Sequence, residues 1–293
     1  MFLSLSEAKI ISVIKEQLKP ILAPGAQELL DDCALLPPVL PGFHRVISQD
    51  AFQEKNDFQI GLGPLESAGY RAIIQNLSDI AAAGGTPIGF LWSLEIPESW
   101  FQNDLAFLTA FLKGAVAASQ SHGVQFYGGD LSRSALHFSC SITIFGDVKG
   151  KPLGRQGARP GDRIYVSRPL GASAAGLKNL LDGIDGPANP IHLYPTAELE
   201  LGPKLVDIAT ACMDLSDGLS KDLHTLCSAS KVGARVHTLP KHSLASADQA
   251  LLGGEDYALL FTAQDSPYGI EIGEIVADTN EMPWSNCGYD HFR

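Results

Sequence analysis

The order of apolar and polar positions divides this chain into short, alternating helices and strands. From Ser6, an N-cap candidate, Ile10, Ile11, Val13, Ile14 and Leu18 recur at helical spacing until Pro20 ends the pattern, which predicts a first helix. Residues 33–36 and 45–48 are short apolar runs bounded by proline and glycine and flanked by aspartates, which reads as strands with the acids in adjoining loops. Over 68–83 the apolar positions Ile73, Ile74, Leu77 and Ile80 mark a helix that Gly84-Gly85-Thr86-Pro87 stops, so Asp79 falls near a helix C-terminus. A strand over 88–96, an amphipathic helix over 103–121 and strands over 124–127 and 136–148 complete the first half.

Residues 149–162 then gather Gly150, Pro152, Gly154, Gly157, Pro160 and Gly161, a composition that suits a connection between domains. The boundary falls near 149, giving domains over 1–148 and 149–293. The second half reads as a strand (163–167), a helix (173–181), a mobile Gly/Pro/Asn loop (181–195), a helix (197–209), a strand, a helix (219–228) and strands over 234–239 and 257–262. The fold class is mixed α/β (α+β) in two domains.

Length agrees, because 293 residues exceed the usual span of one hydrophobic core. With 45% hydrophobic and 18% charged residues the chain is ordinary globular material. Its 33 acids against 21 Lys and Arg leave a net charge of −12 and no basic face for nucleic acid or an anionic membrane. An acidic chain that handles phosphates needs metal cations between itself and its ligand. Cys33, Cys140, Cys212, Cys227 and Cys287 form no CxxC pair and read as the reduced thiols of a cytoplasmic protein. The N-terminal stretch has no basic n-region or cleavage site, and no apolar run reaches membrane-spanning length.

The acids themselves carry the chemistry. They fall mostly beside Gly or Ser, in Asp31-Asp32, Ser48-Gln49-Asp50, Ser78-Asp79, Gly128-Gly129-Asp130, Asp214-Leu215-Ser216-Asp217-Gly218 and Gly253-Gly254-Glu255-Asp256, and read as turns between strands and helices. Magnesium takes oxygen ligands, commonly one or two carboxylates per ion with water and substrate phosphate completing the shell. Scattered aspartates therefore suit several ions on one polyphosphate. The three-residue spacing of Asp214 and Asp217 would let both face one side of a first helical turn. No GxxxxGK[ST] phosphate loop and no HRD or DFG kinase signature is present.

The segments DDCALL (31–36), NLSDIAAAGGTP (76–87), GGDLSRS (128–134), GRQGARPGDRIYVSRPLGASAAGL (154–177), MDLSDGLSKDL (213–223), GGEDYALLFT (253–262) and GYDHF (288–292) resemble the thiamine-monophosphate kinase family, in the group that includes aminoimidazole ribonucleotide synthetase. The resemblance implies a subunit that forms a homodimer through strands of its N-terminal domain, with ATP and magnesium in a cleft between domains. It implies ATP-dependent phosphorylation of thiamine monophosphate to thiamine diphosphate by direct in-line transfer. By position, it makes Asp32, Asp50, Asp79, Asp130, Asp214 and Asp217 magnesium ligands and adds oxygen ligands at Ser48 and Gln49. Gly129, Asp130, Arg155 and Ser216 match nucleotide contacts, Glu255 and Tyr289 contacts to the organic part of the acceptor, and Asp130 and Asp217 the catalytic centre. The aspartates act as electrostatic ligands rather than as acids or bases, because a phosphate oxygen already bears the charge it attacks with.

Five positions, in four places, depart from the family pattern. Leu30 stands where glycine precedes the paired acids. Gln49-Asp50 and Asp57-Phe58 replace threonine-aspartate and histidine-phenylalanine, so Asp57 becomes the substrate-facing residue. Tyr194 replaces an arginine, and Leu112 aligns with a tyrosine near the adenine. These changes keep two other readings open: a related ATP-dependent enzyme with a different acceptor, and a silent homologue that binds nucleotide and metal.

Overall fold

The computed structural model describes residues 34–35, 39–101 and 106–290, so the helix expected over 6–20, together with Leu30 and Asp32, lies outside the described residues. The first half builds a five-stranded sheet from β1 (Ala34–Leu35), β2 (Phe43–Gln53), β3 (Thr86–Pro97), β4 (Gln125–Ser134) and β5 (Ser139–Lys149) in the order β1-β2-β5-β3-β4. Only β3 and β4 run parallel, as their helical crossover requires. Helices α1 (Leu65–Ala82) and α2 (Ala106–Ser121) belong to the same half, and the buried face of α1 packs on β2 and β5. The second half builds another five-stranded sheet from β6 (Arg163–Val166), β7 (Ala211–Asp214), β8 (Gly233–Val236), β9 (Leu259–Ala263) and β10 (Ile270–Val276), ordered β7-β9-β6-β10-β8. Around it lie α3 (Ala172–Leu181), α4 (Asn189–Leu193), α5 (Gly202–Leu205), α6 (Leu219–Ser230) and α7 (Ala247–Leu252).

The mixed α/β class is thus the observed one. Several elements differ from expectation, each for a physical reason. Ser48-Gln49-Asp50 and Gly128-Gly129-Asp130 lie inside strands β2 and β4, not in turns. At β4 the paired glycines answer a packing demand: a Cβ on Gly129 would stand 1.9 Å from the Trp92 carbonyl of the neighbouring strand. The helix expected over 197–209 is cut to Gly202–Leu205, where Gly202 sits against the Ala81 carbonyl. The loop at 181–195 contains α4, whose Pro190 lies in its first turn, where a missing N–H costs nothing. Besides α4, β10 and α7 were not foreseen, although α7 carries a capping box between Ser246 and Gln249 that the sequence displays.

Trp100 and Phe138 stack at 4.1 Å in the core under the first sheet. The C-terminal turn of α1 contributes Ala81 and Ala82 to a second cluster that holds Tyr165, Leu205 and Phe261 of the other half. One helix therefore belongs to both cores. Its crossing with α2 is unusually close, because glycines meet there: a Cβ on Gly69 would lie 1.8 Å from the Phe111 carbonyl, and one on Gly114 would lie 1.7 Å from that of Glu66. No described helix is long and apolar enough to cross a membrane.

Gly114→Ala should force the two helices apart and cost about 3 kcal/mol. Urea unfolding of the variant beside the parent checks this.

Candidate active site

Helix α1 sets the site. Arg71, Gln75 and Asp79 recur every four residues along it, so they share one stripe, and Ser78 joins them. That stripe faces the second half. Arg71, nearly buried, donates from Nη2 to Glu255 Oε1 at 2.5 Å, and Ser78 Oγ donates to Asp214 Oδ2 at 2.7 Å. From β2, Ser48 Oγ donates to Asp79 Oδ2 at 2.5 Å. Strand alternation turns Val46, Ser48 and Phe52 inward, with Asp50 in the same set, while Gln49 lies on the opposite face and accepts from Thr143 Oγ1 at 3.2 Å.

The opposite wall is made by two loops of the second sheet. The strand end of β7 and the turn after it are zipped to the loop before β9, since Tyr257 N–H donates to the Leu215 carbonyl at 3.0 Å and Glu255 N–H donates to the Ser216 carbonyl at 2.9 Å. Gly218 makes the turn possible: its φ is 109°, and a Cβ there would meet the Leu252 carbonyl carbon at 2.8 Å. Asp222, wholly buried behind it, accepts from the Asp217 and Gly218 N–H groups at 3.1 Å each, and burial followed by the nearby Asp217 and Asp214 raises its pKa well above the usual carboxylate range. The C-terminal segment closes the rim, with Tyr289 N–H on the Asp217 carbonyl at 3.0 Å and Lys221 Nζ 2.7 Å from Asp217 Oδ2. Asp214 and Asp217 are thus not on one helical turn. One ends a strand, the other sits in the turn after it, and both reach the cleft.

The resulting cleft holds about 380 Å³. Ser48, Gln49, Asp50, Asp57, Asp79, Arg155, Asp214, Ser216, Asp217, Glu255 and Tyr289 all line it. Of the described residues that the resemblance assigns to metal, nucleotide or acceptor, only Gly129 and Asp130 stand apart, on β4 at the sheet edge. The register runs Asp50, Ile142, Trp92, Gly129 across the sheet, so three strand spacings, about 14 Å in all, separate β2 from β4 there. Asp57 is partly engaged locally, accepting from the Gln53 N–H at 2.7 Å. Sequence reasoning missed Arg71, Gln75, Tyr257 and His192. For Arg71 and Gln75 the signal was the four-residue spacing that leads to Asp79 within an otherwise apolar helix.

Among the described residues, six carboxylates and one arginine line the cleft. Hydroxyl donors orient Asp79 and Asp214 without neutralising them. Among the described residues no three His, Cys, Asp or Glu side chains gather into a metal cage. Such a donor set, hard oxygens spread along a cleft, fits magnesium, which commonly takes one or two carboxylates per ion and leaves positions for substrate oxygens.

The family profile described as "AIR synthase related protein, N-terminal domain" matches residues 30–148. Over 89% of this chain and 90% of the relative, the sequence is 36% identical to a thiamine-monophosphate kinase from Salmonella typhimurium. A thiamine-monophosphate kinase from Haemophilus influenzae is 36% identical over 79% of this chain and 74% of the relative. The chain belongs to the thiamine-monophosphate kinase family. Among solved structures, AaThiL complexed with AMPPCP and TMP superposes with a TM-score of 0.87 at 29% identity, covering 100% of this chain and 99% of the other. Family membership gives the acidic cleft its context: nearly every residue the resemblance assigns to ligand binding stands in it.

Burial shifts two groups beside the cleft in opposite senses. The His192 imidazole falls to about 4, pushed by burial and by Arg71 against the pull of Glu255, so the unfolded chain binds its extra proton between about pH 6.5 and 4. Its contribution is full above pH 6.5 and is lost as pH falls towards 4, about 3 kcal/mol in all. Asp256 rises to about 6 through burial, opposed by the Gly171 and Ser173 N–H groups and by Arg168; its contribution is full below pH 3.8 and is lost as pH rises through 6. His192→Asn should therefore remove part of the acid destabilisation between pH 6.5 and 4, and Asp256→Asn should raise stability most above pH 6. Urea titrations of both variants across pH 4 to 7 read the two slopes.

Proposed function

We propose that the protein transfers the terminal phosphoryl group of ATP to a phosphate oxygen of thiamine monophosphate, releasing ADP and thiamine diphosphate. The observation that carries this reading is the acidic cleft at the seam of the two sheets, in a chain related along nearly its whole length to thiamine-monophosphate kinases. The bond from the terminal phosphorus of ATP to its bridging oxygen breaks as a bond from an anionic acceptor oxygen forms. No proton need leave the acceptor, so the protein's work is alignment and charge compensation.

Asp32, Asp50, Asp79, Asp130, Asp214 and Asp217, with Ser48 and, through its main chain, Gln49, are the residues that would hold several magnesium ions. Bound magnesium would screen the repulsion between the two phosphate groups. Arg155 offers a planar guanidinium to phosphate, and Ser216 a hydroxyl. Gly129 and Asp130 complete the nucleotide contacts, and Asp130 and Asp217 form the catalytic centre. Asp57, Glu255 and Tyr289 meet the organic part of the acceptor, where the Tyr289 ring can stack on a flat heterocycle. The halves 1–148 and 149–293 act as two domains with the cleft between them. The protein works in the cytoplasm as a homodimer joined through strands of the N-terminal half; the exposed Phe126, Tyr127 and Leu131 on edge strand β4 support this, since apolar edge strands seek partners. A different acceptor is the second reading, favoured by Asp57 in the cleft where the resemblance expects histidine.

The test is ADP release from ATP and magnesium with and without thiamine monophosphate, with the product identified by mass spectrometry. Thiamine diphosphate should form, and Asp217→Asn and Asp130→Asn should each slow it on the order of 100-fold or more. ATP and magnesium should raise the melting temperature, and tight ATP binding without thiamine diphosphate would move the assignment to the second reading.

A further inference from the structure

Glu255 sits where three hollows meet. It lines the acidic cleft and a second cavity of about 150 Å³ next to Arg168 and His242, while Arg71 and His192 line an apolar pocket between α1, α3 and α4. The wall between them is a chain of buried polar side chains. Arg71 Nη2 lies 2.5 Å from Glu255 Oε1, His192 Nδ1 lies 3.4 Å from Glu255 Oε2, and Ser173 Oγ lies 3.0 Å from the same His192 nitrogen. Arg71, His192 and Ser173 are 5%, 3% and 2% exposed, so these three depend on protein partners, while the Glu255 carboxylate still opens to the cleft.

We infer that Arg71 and His192 are positioning residues that hold the Glu255 carboxylate at one place in the cleft, with Ser173 fixing the His192 ring. The backbone already stands at φ 60° at Glu255, a left-handed conformation for a residue with a side chain, and its N–H is held by Ser216. With the main chain fixed at one end and the two oxygens addressed from two helices at the other, the side chain has one rotamer to occupy. A carboxylate only accepts, so this role for His192 requires its proton on Nδ1, which faces both Ser173 Oγ at 3.0 Å and Glu255 Oε2 at 3.4 Å, and its depressed pKa keeps the ring neutral at pH 7. Arg71 carries the charge of the array and faces Glu255, with Asp57 nearby. The carboxylate is thereby held as a stationary negative charge for a ligand group that donates hydrogen bonds or bears positive charge.

This rests on the reading of Glu255 as a contact to the acceptor, so the experiment has one arm that needs turnover and one that does not. In the first, His192→Ala should raise KM for thiamine monophosphate on the order of tenfold while kcat and KM for ATP stay near parent values. His192→Asn, whose amide can place a donor near the position of Nδ1, should recover most of that loss. In the second, nitrogen-15 NMR of the labelled full chain at pH 7 should show His192 neutral with its proton on Nδ1, and the melting-temperature changes of His192→Ala and Glu255→Gln should be clearly non-additive in the double variant. A proton on Nε2, or additive changes, overturns the inference whatever the activity. So does a His192→Ala variant that loses kcat and both KM values together and is not rescued by asparagine. A parent enzyme that makes no thiamine diphosphate overturns the assigned reaction instead, and the spectroscopic arm still decides the positioning.

Discussion

The organisation of this protein depends on satisfying the polar face of one buried helix. α1 carries Arg71, Ser78 and Asp79 at positions that exclude most solvent, and a buried polar group without a partner costs on the order of 1–3 kcal/mol, more if charged. The partners are not local. Arg71 finds Glu255 at a separation of 184 residues and Ser78 finds Asp214 at 136, both in the other half of the chain. Docking of the two sheets and assembly of the cleft are therefore one event, because neither half alone could bury this helix without leaving orphaned polar groups.

The same economy shapes the loops. The turn after β7 and the loop before β9 continue the pairing of their strands past the sheet edge, and the C-terminal segment is laid across them by the Asp217 carbonyl and Lys221. Glycine is required where these segments pass, as at Gly218, and the cost of a left-handed Glu255 is borne by the hydrogen bonds on both sides of it. The result is a cleft whose described carboxylates outnumber the cations set against them, Arg71 on Glu255, Lys221 on Asp217 and Arg155 in the lining. That is an arrangement suited to cations that arrive with a phosphate ligand.

Much of this could be read along the chain. The fold class followed from alternating periodicities, and the helix carrying Asp79 was recognisable from Ile73, Ile74, Leu77 and Ile80 with its Gly-Gly-Thr-Pro stop. The motifs around Asp50, Asp79, Asp214 and Glu255 were identified, and all four stand in one cleft. Their local setting was not legible. Asp50 and Asp130 read as loop residues because Gly, Gln and Asp disfavour strands, yet both lie in long strands, where cross-strand pairing outweighs intrinsic preference. Residues 197–209 had helical composition but only a single turn of helix, since Gly202 and the following proline answer to contact with α1.

By itself the sequence determined the chemical inventory: an excess of carboxylates, hydroxyls beside them, few cations, and motifs whose order marks the family. These are properties of residue type and spacing, which no folding step alters. Only the tertiary structure decided which groups work together. It put Arg71 against Glu255 and His192 against both, it turned Gln49 away from Ser48 and Asp50, and it left Asp130 on an outer strand. The pairing of Arg71, Glu255 and His192 depends on which buried polar groups find partners across the seam between two sheets, and the places of Gln49 and Asp130 on strand pairing between distant segments, long-range conditions that no local pattern in the chain encodes.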